Sequence, residues 1–212
     1  MYKAIFKSNE SVNSELLLNE FYSWKDRELK QIYEKNKDWT GVCALNGMGI
    51  NHLKDLPVLM RFIEYVGIEN VLGINYFNLA PKSFLHPHRD MNGNLLFGVS
   101  RLHIPIKTNP KAIIEVEKIP YHLGLNEVWC LDTSGLHALK NDSNENRIHV
   151  VIDVRRCAGT IKYFPKWNLE VFLHLIKFCV IVLWKIARDS VIRPKSIISR
   201  LKELKHQRGF SL

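Results

Sequence analysis

The sequence predicts a mainly β protein, an antiparallel barrel or sandwich flanked by helices and followed by a helical tail. From Val71 onward the chain breaks into short runs, VLGINYFNLA, FGVSRLHIPIKT, AIIEVEKI, EVWCLDT, LHALK and RIHVVIDV, rich in Val, Ile and aromatics. Clusters of Pro, Gly, Asn and Asp separate them, and many short strands in succession favour antiparallel architectures. Two of the runs also alternate. Leu102, Ile104 and Ile106 share one face against Arg101, His103 and Pro105, and Ile148, Val150, Ile152 and Val154 share one against Arg147, His149, Val151 and Asp153. A polar face meeting water would carry Lys, Thr, Glu or Ser. Arg and His in those places predict a polar cavity inside the barrel, with helices covering the greasy outer surface.

The N-terminal MYKAIFKSNES reaches polar residues too early for the apolar segment of a secretory signal, so a mature N-terminus is expected. Residues 11–37 read as a helix through Leu16, Leu17, Leu18, Phe21, Tyr22, Trp24, Leu29, Ile32 and Tyr33. Residues 39–50, with Gly41, Gly47 and Gly49, read as a short strand entering a loop, and 54–66 as a second helix that tolerates Pro57 only in its first turn. Residues 168–188 are strongly apolar, yet Glu170, His174, Lys177, Lys185 and Arg188 recur as a narrow polar stripe. Lys177 near the middle argues against a membrane span. Pro194 opens a last basic amphipathic segment with Ile197, Ile198, Leu201 and Leu204 on one line. The expected organisation is a catalytic domain over residues 1–157 and a basic helical appendage over 158–212.

Charge follows that division. The net charge is +9, and residues 158–212 hold 11 Lys or Arg against 3 Asp or Glu, a balance of +8 that leaves +1 for the rest. A nucleic-acid binder would carry its positive charge on its working face, so no nucleic-acid partner is expected. Cys43, Cys130, Cys157 and Cys179 form no CxxC pair, which suits a reducing compartment. The expected location is the cytoplasm, with the tail as a peripheral contact to the inner membrane surface, a packed appendage or a homodimer contact.

The stretch from Phe84 to Ile106 organises the rest. His88 and Asp90 lie two apart, so on an extended strand both project from one face. His137 and Arg147 follow ten residues apart, joined by the polar turn NDSNEN, and a hairpin there would bring them close. Two imidazoles and one carboxylate are the facial set that holds a non-haem Fe(II) with positions left open, and arginine grips carboxylates through two parallel hydrogen bonds. Each residue has a plainer reading. His88 caps a turn and Asp90 accepts loop amides, His137 is a core histidine bonded to a carbonyl, and Arg147 pairs with Asp142 or Glu145. Arg101 and His103 hold a second carboxylate, or else form an internal pair with Asp132 or Asp153. Tyr76 and Asn78 share a strand face and are candidates for the substrate pocket, while Trp129 reads as core.

Taken in order, PHRD, RLHIPI, EVWCLDTSGLHALKN and NRIHVVIDV resemble the aspartyl/asparaginyl β-hydroxylase-like group of Fe(II) and 2-oxoglutarate-dependent oxygenases, and are similar to bacterial proline hydroxylases. The resemblance covers roughly Val71 to Arg155 and implies a double-stranded β-helix, jelly-roll or cupin-like. By position, His88 matches the proximal metal histidine, His137 the distal one and Arg147 the arginine for the far carboxylate of 2-oxoglutarate. Arg101 and His103 match a pair at the cosubstrate's other end or the substrate. Human-type aspartyl hydroxylases have glycine where Asp90 stands, so Asp90 restores a third ligand and moves the chain toward proline hydroxylases. It also favours hydroxylation over halogenation. The implied activity uses Fe(II), 2-oxoglutarate and O₂, with ascorbate as reductant, and gives succinate and CO₂. The implied substrate is an amino acid or an amino-acid unit of a larger molecule. The alternatives are hydroxylation of a lipid or membrane-associated precursor and a non-catalytic cupin-like metal or ligand binder.

Overall fold

A computed structural model describes residues 2–33, 36–90 and 94–192. The chain divides into two units, Met1–Lys166 and Trp167–Leu212. In the first unit, β1 (Ile5–Ser11) precedes helix α1 (Ser14–Ser23), then come β2 (Lys30–Tyr33), β3 (Asn36–Asn46) and helix α2 (Pro57–Val66). Eight more strands follow: β4 (Val71–Leu79), β5 (Ser83–His88), β6 (Val99–Lys107), β7 (Ala112–Val116), β8 (Ile119–Tyr121), β9 (Glu127–Leu131), β10 (His137–Asn141) and β11 (Arg147–Arg155). All pairings are antiparallel, in a large sheet ordered β1-β9-β6-β11-β4-β3-β2 and a small one ordered β5-β10-β7-β8. The fold is a double-stranded β-helix of the jelly-roll, cupin-like kind.

Alternation in β4, β6 and β11 sorts the large sheet into two faces. Direct cross-strand partners share a face, so Tyr76 lies with Val150, and Phe77 with His149. The outer face is apolar and is covered by α1, whose Leu17 and Phe21 are buried together with Trp24 just past its end. The Phe21 and Tyr76 rings stack at 4.8 Å. Asn13 caps α1 by accepting from Leu16 N. No side chain of its own residues caps α2, and the Glu20 carboxylate takes that role by accepting from the Val58 and Leu59 amides. Pro57 sits in the first turn of α2, where its missing N–H costs nothing.

The inner faces of the two sheets enclose Ile5, Leu79, Leu85, Ile114, Val116, Leu131 and Leu139. Trp129 is partly buried against this cluster. Pro105, which has no N–H to give the ladder, lies at an irregularity between Ile148 and His149 of β11.

Two sequence expectations are corrected. The helix expected over 11–37 ends at Ser23, and Trp24 turns into extended backbone. Its buried stripe of Leu17, Phe21 and Trp24 would continue through Glu28 and Gln31, which are polar, so the chain leaves the helix and forms β2 against β3. Secondly, β10 and β11 do not form a hairpin, because they belong to different sheets. The Asn141 amide pins the crossing by donating to the Leu79, Ala80 and Glu145 carbonyls.

In the second unit, α3 (Leu169–Ile192) is capped by the Asn168 side chain, which accepts from Val171 N at 2.9 Å. Leu169, Phe172, Ile176, Val180 and Leu183, three or four residues apart, form one line, each at least 44% exposed. Among the described residues no helix is long and apolar enough to cross a membrane. The amphipathic segment expected after Pro194 lies outside the described residues.

Candidate active site

The site starts from a bulge in β5. Leu85 faces Leu139 and His88 faces His137, so three steps along β5 match two along β10, with His86 and Pro87 opposite Ala138. Strict alternation would send one of Leu85 and His88 outward. The extra residue resets the phase and turns both inward. The His88 and His137 rings then lie 4.2 Å apart, centroid to centroid.

Asp90 follows on the loop after β5. Its backbone N–H donates to the Thr133 carbonyl at 3.0 Å, and its carbonyl accepts from the Asn94 amide at 2.9 Å. Its Oδ1 lies 3.8 Å from His88 Nε2. Ligand atoms of His88, Asp90 and His137 all lie within 4.8 Å of one another. The DTSGL segment before His137 is equally pinned. Asp132 accepts from Ser134 N, Ser134 Oγ, Leu95 N and the Tyr2 hydroxyl, and Arg89 donates to Glu117 and to the Ser134 carbonyl.

Hydrogen bonding fixes which nitrogen of each ring is free. A carbonyl only accepts, so the contacts of His88 Nδ1 with His86 O (2.8 Å) and of His137 Nδ1 with Gly135 O (3.0 Å) put the hydrogen on Nδ1. Each Nε2 keeps a bare lone pair, as a metal ligand needs. Burial, then the neighbouring His88, push the His137 pKa down to about 4, so it is a neutral imidazole at neutral pH. Two imidazole nitrogens and one carboxylate oxygen suit a ferrous ion, with one side of the ion left for other ligands.

Deeper in the barrel Arg147 is only 3% exposed, and its recorded side-chain partner is a neutral ring. A guanidinium can only donate, so Arg147 Nη2 donates to His149 Nδ1 at 3.0 Å, and His149 carries its hydrogen on Nε2. That Nε2 is buried without a hydrogen-bond partner among the described residues, as are both ring nitrogens of His103. Burial pushes the Arg147 pKa down to about 9, which leaves it cationic at neutral pH. Burial and then Arg147 hold His103 and His149 far below the usual histidine range. Glu145 and Asp142, the partners considered for Arg147, pair with Lys107 and Lys140. The deep end is therefore a cation among unfilled imidazoles, which is a place built for an anion.

Arg101 stands differently. It faces Asp153 directly across β6 and β11, donating through Nε at 2.7 Å and Nη2 at 3.0 Å, and its Nη1 donates to Asp90 Oδ2 at 2.6 Å. Burial would lower its pKa, but Asp153 and then Asp90 raise it. The expectation that Arg101 holds a cosubstrate or substrate carboxylate gives way here, because its fork is filled by the chain's own carboxylates.

Tyr76 and Asn78 are also corrected. They lie on the outer face of β4, Tyr76 fully buried against Phe21 and near Trp24, and Asn78 donating to Thr40 Oγ1. The strand was right and the phase wrong by one residue: Gly73, Asn75 and Phe77 share the inner face with Asp153, Val151 and His149. Sequence reasoning also passed over His149, although its place two residues after Arg147 on one strand was a usable signal.

Residues 8–157 match the Aspartyl/Asparaginyl beta-hydroxylase family. An L-proline cis-4-hydroxylase from Rhizobium meliloti (strain 1021) is 28% identical over 106 residues, 50% of this chain but only 38% of that protein. HygX from Streptomyces hygroscopicus, solved with nickel and 2-oxoglutarate bound, superposes with a TM-score of 0.52 at 9% identity, over 78% of this chain and 85% of its own. The non-heme alpha ketoglutarate dependent carbocyclase SnoK from nogalamycin biosynthesis gives 0.53 at 13% identity, over 72% and 79%. At these identities the structural likeness is one of fold. The family match extends over most of the described β-domain and takes in the bulge, the crossing and the inward faces of β6 and β11, and on it the chain belongs to the aspartyl/asparaginyl β-hydroxylase family.

Proposed function

We propose that the protein is an Fe(II)- and 2-oxoglutarate-dependent hydroxylase acting on an amino acid or an amino-acid unit of a larger molecule. One observation carries the reading. Two imidazoles with free Nε2 atoms meet a carboxylate at one point, in a barrel that also buries an arginine with no carboxylate partner among the described residues. In this reading His88, Asp90 and His137 hold the metal, and Arg147 takes the far carboxylate of 2-oxoglutarate. His149 Nε2 and His103 are the remaining donors at that end. When bound, iron and 2-oxoglutarate with O₂ supply the oxidation, giving succinate, CO₂ and one oxygen atom delivered to a C–H bond.

Formal charge supports the pairing of metal and cosubstrate. Arg101 and Arg147 balance Asp90 and Asp153, so the described barrel interior is neutral around these four. A divalent cation alone or a dianion alone would unbalance it, while the two together restore neutrality inside a medium where isolated charge is costly. The relative named L-proline cis-4-hydroxylase supports an amino-acid substrate. Asn75, Phe77 and Cys43, on the inner face by register, are the side chains placed to meet it.

The test is succinate release by purified protein given Fe(II), ascorbate and 2-oxoglutarate, with candidate amino acids screened by mass spectrometry for the gain of one oxygen. His137→Ala should abolish both signals. Equal release by His137→Ala would remove the proposed centre, and silence from the wild-type protein across the screen would favour a cupin-like binder without turnover.

A second reading, a membrane-associated substrate, is favoured by α3. Its exposed apolar line lies in the tail of residues 158–212, whose +8 balance is carried mostly by the segments flanking the helix, and an apolar helix face between basic segments suits an anionic lipid surface. The full chain should then sediment with anionic vesicles, and Ile176→Asp with Leu183→Asp should release it. A wild-type chain that stays in the supernatant would exclude this reading.

A further inference from the structure

We propose that Arg101, clamped by Asp153, is a positioning residue that holds Asp90 as a one-oxygen ligand. The inference rests on reading His88, Asp90 and His137 as the metal set. Asp153 accepts two parallel hydrogen bonds from the Arg101 fork, on Nε and Nη2, from directly across the strand pair. A bidentate contact of this kind fixes the plane of the guanidinium as well as its position. Nη1 then reaches out of the large sheet to Asp90 Oδ2 at 2.6 Å, while Oδ1 is the oxygen turned toward His88 Nε2. One carboxylate oxygen is thus occupied by a charged donor and the other is left for the ion.

Asp90 needs this support. It lies two residues past the end of β5, outside the ladder that fixes the strand's own side chains. A free carboxylate can turn both oxygens to a metal and take two positions. With Oδ2 held, Asp90 takes one, so three ligand atoms occupy three positions and the rest stay open for a chelating keto acid and O₂. The Asp153–Arg101–Asp90 chain also ties the loop bearing one ligand to the central strands of the large sheet, so that ligand is placed by the rigid part of the fold.

Asp153→Asn tests this from a residue that is not itself among the three ligands. It keeps the shape of the side chain and removes the charge that sets the fork. Anaerobic titration of the metal-free protein with Fe(II) or Co(II), well below the melting temperature, should show affinity weakened about 10- to 100-fold, the usual cost of losing a partner behind a ligand. The visible spectrum of the Co(II) form should shift, reporting altered coordination. Arg101→Lys keeps a cation but loses the fork, and should move both readouts in the same direction; it supplies the test if Asp153→Asn does not fold. Wild-type affinity and an unchanged Co(II) spectrum in a folded variant would overturn the proposal, leaving the arginine as a cross-strand tie. If that happens while His88→Ala loses the metal, the metal site stands and only the positioning role falls. A wild-type protein that takes up neither ion would overturn both.

Discussion

Two arginines point into the barrel from neighbouring strands, Arg147 buried and Arg101 partly exposed, and they sit in opposite states. Arg101 is enclosed by two carboxylates and Arg147 by imidazoles. Taking a guanidinium out of water is costly unless an anion accompanies it. A filled fork therefore suits scaffolding, and in the proposed function the unfilled one is the receptor. Both arginines occupy inward positions on central strands of one sheet, and what separates them is whether Asp153 and Asp90 are within reach.

Changing Arg147 should expose the difference most strongly. Arg147→Met should weaken 2-oxoglutarate binding by about 100-fold, roughly 3 kcal/mol, because it removes the charged partner of a buried carboxylate. The same change should leave the ligand-free protein as stable or more stable, by about 1 kcal/mol, since it relieves a buried unpaired charge. Cosubstrate titration and thermal melting read the two effects. Unchanged cosubstrate affinity would break the comparison by making Arg147 a structural group like Arg101.

Lowering the pH probes the receptor end by a smaller step. His103 and His149 have folded pKa values far below the ordinary one, from burial and then Arg147. The unfolded chain takes up protons on them near pH 6.5 and the folded chain does not, so unfolding binds protons and low pH favours it. Stability is whole above about pH 6.5 and falls below it, by up to about 1.4 kcal/mol per pH unit for each ring. Melting of the metal-free protein between about pH 7.5 and about pH 5.5 checks this, with His149→Asn expected to flatten the slope. A slope that His149→Asn leaves untouched would place the proton uptake elsewhere.

Tyr76→Phe is the control with the smallest effect. The Tyr76 hydroxyl is buried on the outer face without a hydrogen-bond partner among the described residues. Its loss should change stability by less than about 1 kcal/mol and leave cosubstrate and metal affinity unaltered. A marked fall in either affinity would mean that the outer face takes part in binding.

The sequence made most of the β architecture readable, because period-two alternation in RLHIPI and RIHVVIDV reports which side chains face inward. It also brought out His88, Asp90, His137 and Arg147, whose residue types are hard to explain on a solvent face. What stayed hidden depended on phase and on partners. The GINYFNLA run alternates without saying which set is inside, since Tyr76 and Asn78 look as suitable as Asn75 and Phe77. The register against β11, which sets Tyr76 beside Val150, and the stacking of Phe21 on Tyr76 decide it. Whether Arg101 meets a ligand or Asp153 rests on cross-strand register, which no local pattern encodes. The turn after His137 reads equally as a hairpin or as a crossing between sheets, and the structure takes the second course.

The extra residue opposite Ala138 has a genetic consequence. Removal of a single codon at position 86 or 87 would restore regular pleating and still leave Leu85 opposite Leu139 and His88 opposite His137, two steps against two. Such a lineage would keep both inward side chains and lose only the bend and added twist of the bulge. The partner strand has no such slack, since one codon lost at Ala138 would make His137 and Leu139 neighbours and turn one of them outward.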